Sequence, residues 1–445
     1  MVRVLISLCL ILLSSTALAG EAPVTLYRNV TVIDGLGGPP RPGQDLLIQG
    51  ERILAIRPTG QPVPEGAKVE AGQGRFVLPG LIDSHEHLAT PPNRPFAEAQ
   101  MRRDLYGGVT AVRDMADDLR QVADLARASR IGEIAGPDIY FAALMAGPSF
   151  FEDPRTHAVT QGAVAGKTAW MQAVDQSTDL PLAIAMARGT GATAIKIYAN
   201  LPAERVAAIT AEAHRQGLAV WAHGAVFPAS PSEVLAAGVD VVSHVCMLAY
   251  EGADPMPQAY HRRAVVNEKR FPAADSPIVA PLLARMAREG TILDATLRIY
   301  DAMDRRAAAN PGAARGYCSG DLGARLTAQA RKAGVMISTG TDGFAEPEGA
   351  WPSVLEEMDL LVARAGLTPL QAITAATRVG ALSIAHNPDF GTLEAGKLAN
   401  LVFVAEDPSR DLRALQTVTL VVKRGRAYPR SDYDPARDLA ARQEP

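Results

Sequence analysis

In the stretch Leu78-Pro-Gly-Leu-Ile-Asp-Ser-His-Glu-His87, an apolar strand running from Leu81 ends in two histidines two positions apart. On an extended backbone, residues two apart point the same way, so His85 and His87 can grip one metal ion. A His-x-His pair alone is a weak signal. What gives it weight is the rhythm that follows, a strand and then a helix, repeated along the chain. Further candidate strands are Thr110 to Met115, Ile139 to Leu144, Ala194 to Ala199, Ala219 to Gly224, Val241 to Val245, Ile292 to Leu297 and Met336 to Asp342. Amphipathic stretches separate most of them: Val206, Ile209 and Ala213 form a 3.6-residue stripe over Glu204 to Gln216, ending at Gly217. Similar stretches cover Ala280 to Arg288 and Leu322 to Lys332, and Thr368-Pro369 reads as the start of a helix continuing to Ala381. Eight strands alternating with helices predict a (β/α)8 TIM barrel of the α/β class. The alternative is an open doubly wound sheet, but no Gly-x-Gly-x-x-Gly turn follows an early strand. The long loops at roughly 147–179 and 247–277 are candidates for substrate recognition.

The two ends of the chain read differently. Val24 to Arg57 alternates in short strands joined by turns, and Asn400 to Val404 and Thr417 to Val422 return to that pattern. Neither piece alone makes a sheet large enough to stand, so the termini are expected to meet in one small β-sandwich. The expected division is a signal peptide at 1–19, the N-terminal part of the sandwich at 20–78, the barrel at 79–391, and the rest of the sandwich with a tail at 392–445.

The signal-peptide reading rests on Arg3, the apolar run Val4 to Leu13, and Ala17-Leu-Ala19 before Gly20. Ten apolar residues fall short of the roughly 20 that span a bilayer, so no stable membrane anchor is expected after cleavage. The mature chain is expected in a periplasm or secreted. Of three cysteines, Cys9 lies in the removed segment. Cys246 and Cys318 are expected as two free thiols, with pairing open because a sequence gives no distance. Formal net charge is −4, so no positive excess exists to neutralise a nucleic-acid backbone. A small-molecule substrate is the expected partner, and self-assembly into a homo-oligomer stays open.

Four of the eight histidines fall at the C-terminal ends of expected strands, the rim where such barrels build active sites. Besides His85 and His87, His223 closes strand five and His244 closes strand six. Asp342 ends strand eight, a position where an aspartate alone is usually a cap or turn former. Lys196, in the apolar strand Thr193-Ala-Ile-Lys-Ile-Tyr198, would place an ammonium among cation-binding groups and must be neutralised. Snorkelling to the rim or pairing with Asp342 is the ordinary account. Tyr198, two residues on, can donate to a substrate carbonyl or pack in the core. Arg113 and Arg298 are candidates to bind a substrate carboxylate, with surface salt bridges as the alternative. His157, in the long loop at 147–179, is a candidate to close over substrate. His214 and His386 fall on expected helices and read as structural.

Strands one, four, five, six and eight thus offer His-x-His, Lys, His, His and Asp. This order, with Leu78 to His87 as its most specific part, resembles the amidohydrolase superfamily. Gly391-Thr-Leu-Glu-Ala-Gly-Lys-Leu-Ala-Asn-Leu-Val402 resembles the family's return to its β-sandwich, with Asn400 where an Asp is more usual. Gly108-Val-Thr-Ala-Val-Arg-Asp114 and Ile195-Lys-Ile-Tyr198 are most similar to the branch of imidazolonepropionase-like proteins and Xaa-Pro dipeptidases; imidazolonepropionase itself, with one metal, matches poorly. The segment 147–154 departs from dipeptidase loops, which leaves peptide specificity open. The resemblance implies a binuclear site of two divalent ions, with zinc expected. His85, His87 and Asp342 would hold one ion and His223 and His244 the other, with carboxylated Lys196 bridging. It also implies hydrolysis of an amide C–N bond, in dipeptides or N-acyl amino acids, by attack of a metal-bound hydroxide, with Asp342 as base and then acid. The same site could act on a lactone, carbamate or phosphotriester, and a catalytically silent binding protein is the reading from another class.

Overall fold

The computed structural model describes residues 22–90, 92–272, 275–310, 312, 316–343 and 349–438. The expected signal segment, with Cys9, lies outside them. Five strands lead the chain: β1 (Val24–Val32), β2 (Arg41–Gln49), β3 (Arg52–Pro58), β4 (Lys68–Ala71) and β5 (Phe76–Pro79). Nine follow: β6 (Leu81–Glu86), β7 (Val109–Asp114), β8 (Asp138–Ala146), β9 (Met171–Ala173), β10 (Ala194–Ile197), β11 (Ala219–His223), β12 (Val241–Ser243), β13 (Ile292–Asp294) and β14 (Ile337–Ser338). Three close it: β15 (Leu401–Val404), β16 (Val418–Lys423) and β17 (Arg426–Pro429).

The middle group is the barrel. Its strands run parallel in the order β14-β13-β12-β11-β10-β8-β7-β6, with β9 added beside β8. Parallel strands covered on both faces should be buried throughout, and every residue of β6, β7 and β10 is. The ring closes between β6 and the segment after β14: Ser84 N–H donates to Thr339 O at 2.6 Å, Thr339 Oγ1 to Ile82 O at 2.9 Å, and Asp342 N–H to His85 O at 3.0 Å. The helix Ala203–Arg215 buries Val206, Ile209 and Ala213, the stripe its sequence displays. Thr368 caps the helix Pro369–Thr374, accepting from Gln371 N–H, with proline in the first turn. Past it the chain makes a π-helical turn over Ala375–Val379, and His386 lies beyond the last helical turn, Gly380–Leu382, rather than on a helix.

The terminal strands make one sheet, β17-β16-β15-β5-β1-β2-β3 with β4 beside β1, so strands from both ends pair through β5 and β15. Tyr27, Val30, Leu46, Val77, Phe403 and Val422 share its core. Asn400 ties this sheet to the barrel: its carbonyl accepts Gly80 N–H at 2.9 Å and its side chain accepts Arg424 N–H at 2.8 Å. Both contacts come from acceptor oxygens, so an amide serves here as a carboxylate would.

Two expectations are corrected. β13 stops at Asp294, because Thr296 turns into the left-handed region (φ 50°) and Leu297 opens a helix running to Ala309. Arg298 therefore lies in a first helical turn, not on strand seven. Cys246 and Cys318 are not free thiols but a disulfide, with Cα atoms 6.1 Å apart. Closing a loop of 72 residues restricts the unfolded chain by about 4 kcal/mol on the loop-entropy relation. Replacing both cysteines with serine should lower unfolding stability by up to that amount, measured by urea titration. An unchanged midpoint would contradict a bridge that constrains the unfolded chain.

Candidate metal centre and its cavity

The groups flagged at the strand ends converge. His85 Nε2 lies 3.2 Å, and His87 Nε2 3.5 Å, from Asp342 Oδ1; His244 Nδ1 lies 3.6 Å from the other oxygen, Oδ2. The ring of His244 is 4.9 Å from that of His85 and 4.8 Å from that of His223. Lys196 is 1% exposed, and among the described residues its amine makes one long contact, 3.4 Å to Ser243 Oγ, rather than an ion pair with Asp342. His244 (φ 70°) and Asp342 (φ 43°) both occupy the left-handed backbone region, a strain characteristic of sites where geometry is imposed. Gly340 makes the approach possible: a β-carbon there would meet Asp294 Oδ1 at 2.0 Å and His85 Cβ at 2.7 Å.

Electrostatics sorts these groups. Burial, with Lys196 and His244 adding to it, holds His223 well below the usual imidazole range. Burial likewise brings His244 down to about 3. Both are neutral, the form that ligates metal. Burial also lowers Lys196, to about 7, so much of it is an uncharged amine near neutral pH. Burial opposes charge on His87 too, but Asp117 and Asp342 on either side outweigh it and raise the group to about 10. Burial similarly works against Asp342, yet His85 and His244 keep its carboxyl well below the usual carboxylate range. His85, His87 and Asp342 bring ligand atoms within 4.8 Å of one another. His223 Nδ1 is buried without a hydrogen-bond partner. Neutral imidazoles, an ionised carboxylate and a cation demand between His87 and Asp342 fit a divalent metal.

Two carboxylates hold the His-x-His pair. Asp294 Oδ2 accepts from His85 Nδ1 at 2.7 Å, and Asp117 Oδ1 from His87 Nδ1 at 2.7 Å. Each bond turns Nε2 of its ring toward Asp342. Sequence reading missed both residues. Asp294 is obscured in the sequence because the strand pattern of Ile292 runs on to Leu297; an aspartate at the observed strand end is its signal. Asp117 follows β7 in Arg113-Asp-Met-Ala-Asp117, where a second acid three residues on was the cue.

Of the expected substrate contacts, Tyr198 lines the cavity, its ring 4.0 Å from that of His223. Arg113 is corrected: it is fully buried inside the barrel, away from the rim. Its Nε donates to Ser84 O at 2.7 Å, its Nη2 lies 3.4 Å from Asp294 Oδ2, and its guanidinium covers the Trp221 ring at 4.5 Å. Arg113 thus holds the carboxylate that holds His85. Arg298 is corrected as well, because the helix turn aims it at Glu356, 2.7 Å away. His157 is exposed and does not line the cavity; its neighbours Arg155, Thr156 and Val159 do.

The cavity itself measures ≈ 270 Å³. The six candidate ligands are among its lining residues. Leu144, Phe150, Val159 and Met171 line one side, and Ile299, Tyr300, Met303 and Tyr317 are also in its wall. Tyr260 and Arg263, from the long loop after β12, were not anticipated, since nothing in a loop sequence says which residues turn inward. The loops after β8 and β12 meet through Asn200, which accepts Tyr260 N–H at 2.8 Å and donates to Ser149 Oγ at 3.0 Å.

The amidohydrolase family model matches residues 76–428, and the chain belongs to that family. It is a metal-dependent hydrolase acting on carbon–nitrogen bonds. It is 25% identical to an ochratoxinase of Aspergillus niger across 92% of this chain and 87% of that one. In fold it is similar to a Xaa-Pro dipeptidase (TM-score 0.73, 21% identity, covering 91% of this chain and 100% of that one). It is similar also to the A. niger ochratoxinase structure (TM-score 0.72, 22% identity, covering 93% and 98%).

Asp117→Asn removes the charge that orients His87 while keeping its size. Divalent-metal affinity should fall roughly 10- to 100-fold, read by competition with a chromophoric chelator. Unchanged affinity would show that His87 does not need Asp117.

Proposed function

We propose that this amidohydrolase cleaves the amide bond of dipeptide-like or N-acyl amino acid substrates at a site of two divalent ions, with zinc the expected metal. The carrying observation is the convergence of six side chains from five barrel strands on the lining of one cavity. His85, His87 and Asp342 would hold one ion, and His223 and His244 the other. Ions in these positions would supply Lewis-acid polarisation of the scissile carbonyl and make hydroxide available near neutral pH.

The chain's own groups account for the rest. The uncharged amine of Lys196 would add carbon dioxide and release a proton, becoming a carbamate. That anion would bridge the two halves of the donor set, answering the need for neutralisation that no ion pair among the described residues meets. Asp342, ionised at any working pH, would take the proton of the attacking water and return it to the departing amine nitrogen. Burial pushes Tyr198 well above the usual phenol range, so it stays a donor, placed to bond the carbonyl oxygen as negative charge develops. The ochratoxinase likeness along most of both chains supports a small-molecule amide as substrate.

We also infer that the mature chain, from Gly20, acts in the periplasm or outside the cell. The signal-like segment 1–19 and the Cys246–Cys318 bridge both support an oxidising compartment.

A panel of N-acyl amino acids and Xaa-Pro dipeptides, set against lactones and esters, tests the reaction through release of free amine. Amine release by the zinc- and bicarbonate-supplied enzyme is expected. Lys196→Ala should abolish it, and Asp342→Asn should cut it by roughly 10²- to 10⁴-fold. Full turnover by Lys196→Ala, or lactone cleavage with no amine released from any amide, would overturn the reading.

A further inference from the structure

The helix Leu297–Ala309 starts against the usual rule. A threonine at the cap position ordinarily turns its hydroxyl back onto the first free N–H groups of its helix. Thr296 holds that position, yet its side chain makes no capping bond. Its backbone sits in the left-handed region (φ 50°), a costly conformation for a β-branched residue. The hydroxyl of this fully buried residue is used elsewhere. Its Oγ1 lies 3.0 Å from His244 Nδ1, and it also meets Tyr300, whose own hydroxyl is 2.9 Å from that of Tyr317. Asp342 Oδ2, 3.6 Å from the same His244 nitrogen, is too far away to compete.

Another element serves the helix end. Glu357, on the helix Val354–Ala363, accepts from two backbone groups at once: Leu297 N–H donates to its Oε1 at 3.1 Å and Arg298 N–H to its Oε2 at 2.7 Å. Burial pushes this carboxyl up to about 8, with the two backbone bonds working the other way. A buried acid from a neighbouring helix thus satisfies donors that the cap threonine would satisfy without burying a carboxyl. The exchange is explained if the histidine needs the threonine. Resting on the two-ion reading of the site, we propose that Thr296 is a positioning residue for His244. Its hydroxyl occupies Nδ1 and fixes the ring, so that Nε2 is the nitrogen presented to the ion, and Glu357 frees it for that role by capping the helix in its place. The end of β13 then orients two ligands from one short segment, His85 through Asp294 and His244 through Thr296.

Removing the hydroxyl while keeping the β-branched shape tests this. In Thr296→Val the more weakly held zinc ion should lose roughly 10- to 100-fold in affinity, read on the full chain by competition with a chromophoric chelator. Thr296→Ser keeps the hydroxyl and should stay close to wild type. Glu357→Ala should reproduce the loss with Thr296 intact. Glu357→Gln keeps one acceptor oxygen and should show a smaller part of the loss; it carries that arm if the alanine variant does not fold. A second readout needs no metal. With nitrogen-15-labelled histidine in the metal-free chain, Thr296→Val should shift the ring nitrogens of His244 and leave those of His214 and His386 in place, a pattern that general loosening of the fold would not produce. Unchanged affinity with unchanged His244 resonances in Thr296→Val, or an equal loss in Thr296→Ser, would overturn the proposal. Full affinity in both Glu357 variants would overturn the transfer of the cap. A wild-type chain that binds one ion would instead count against the two-ion reading, and the His244 resonances would still decide whether Thr296 holds that ring.

Discussion

Four imidazoles and one lysine amine are gathered in the mouth of a closed barrel around a single carboxylate, Asp342. Basic groups at such spacing repel one another when charged, and each loses the solvation that would make the charge tolerable. His223 and His244 respond by giving up their protons, and Lys196 by losing much of its hold on one. Where a proton is retained, at His87, two carboxylates flank it. The cluster is therefore short of positive charge of the kind a multivalent ion brings, and rich in the neutral nitrogen lone pairs that bind one.

Much of the surrounding structure exists to keep that arrangement in register. The bonds between β6 and the segment after β14 close the ring and put His85 beside Asp342. Gly340 lets the last strand segment pass close to Asp294 and His85. Beneath the histidines, Trp221 and Ser84 position Arg113, Arg113 meets Asp294, and Asp294 fixes the orientation of His85. A contact chain of this sort places a ligand within tenths of an ångström, the precision that first-sphere groups need. The disulfide anchors the segment just past His244 to the residue following Tyr317, so two lining residues of the cavity are tied together through it.

The sequence disclosed what is written in local pattern. The barrel was legible because each strand is a short apolar run between helical stripes. The six candidate ligands were legible because five of these runs end in a residue that can bind metal. Tertiary relations were not legible in the same way. Arg113 stands near the end of its strand, so sequence position suggests the rim, but its side chain turns into the barrel interior against Asp294. The pairing of Cys246 with Cys318, the supporting carboxylates Asp294 and Asp117, and the inward turn of Tyr260 and Arg263 all depend on distances between segments far apart in the chain. His157 has suitable chemistry, yet the short helix Pro154–Ala158 presents Arg155 and Thr156 to the cavity instead.

The central claim is that the cluster around Asp342 is a two-ion site. Metal content per chain, measured by inductively coupled plasma mass spectrometry on protein purified without chelator and supplied with bicarbonate, tests it directly. About two divalent ions per chain is the predicted result. One ion per chain would remove the bridging role of Lys196, and none after reconstitution would contradict the metal centre altogether.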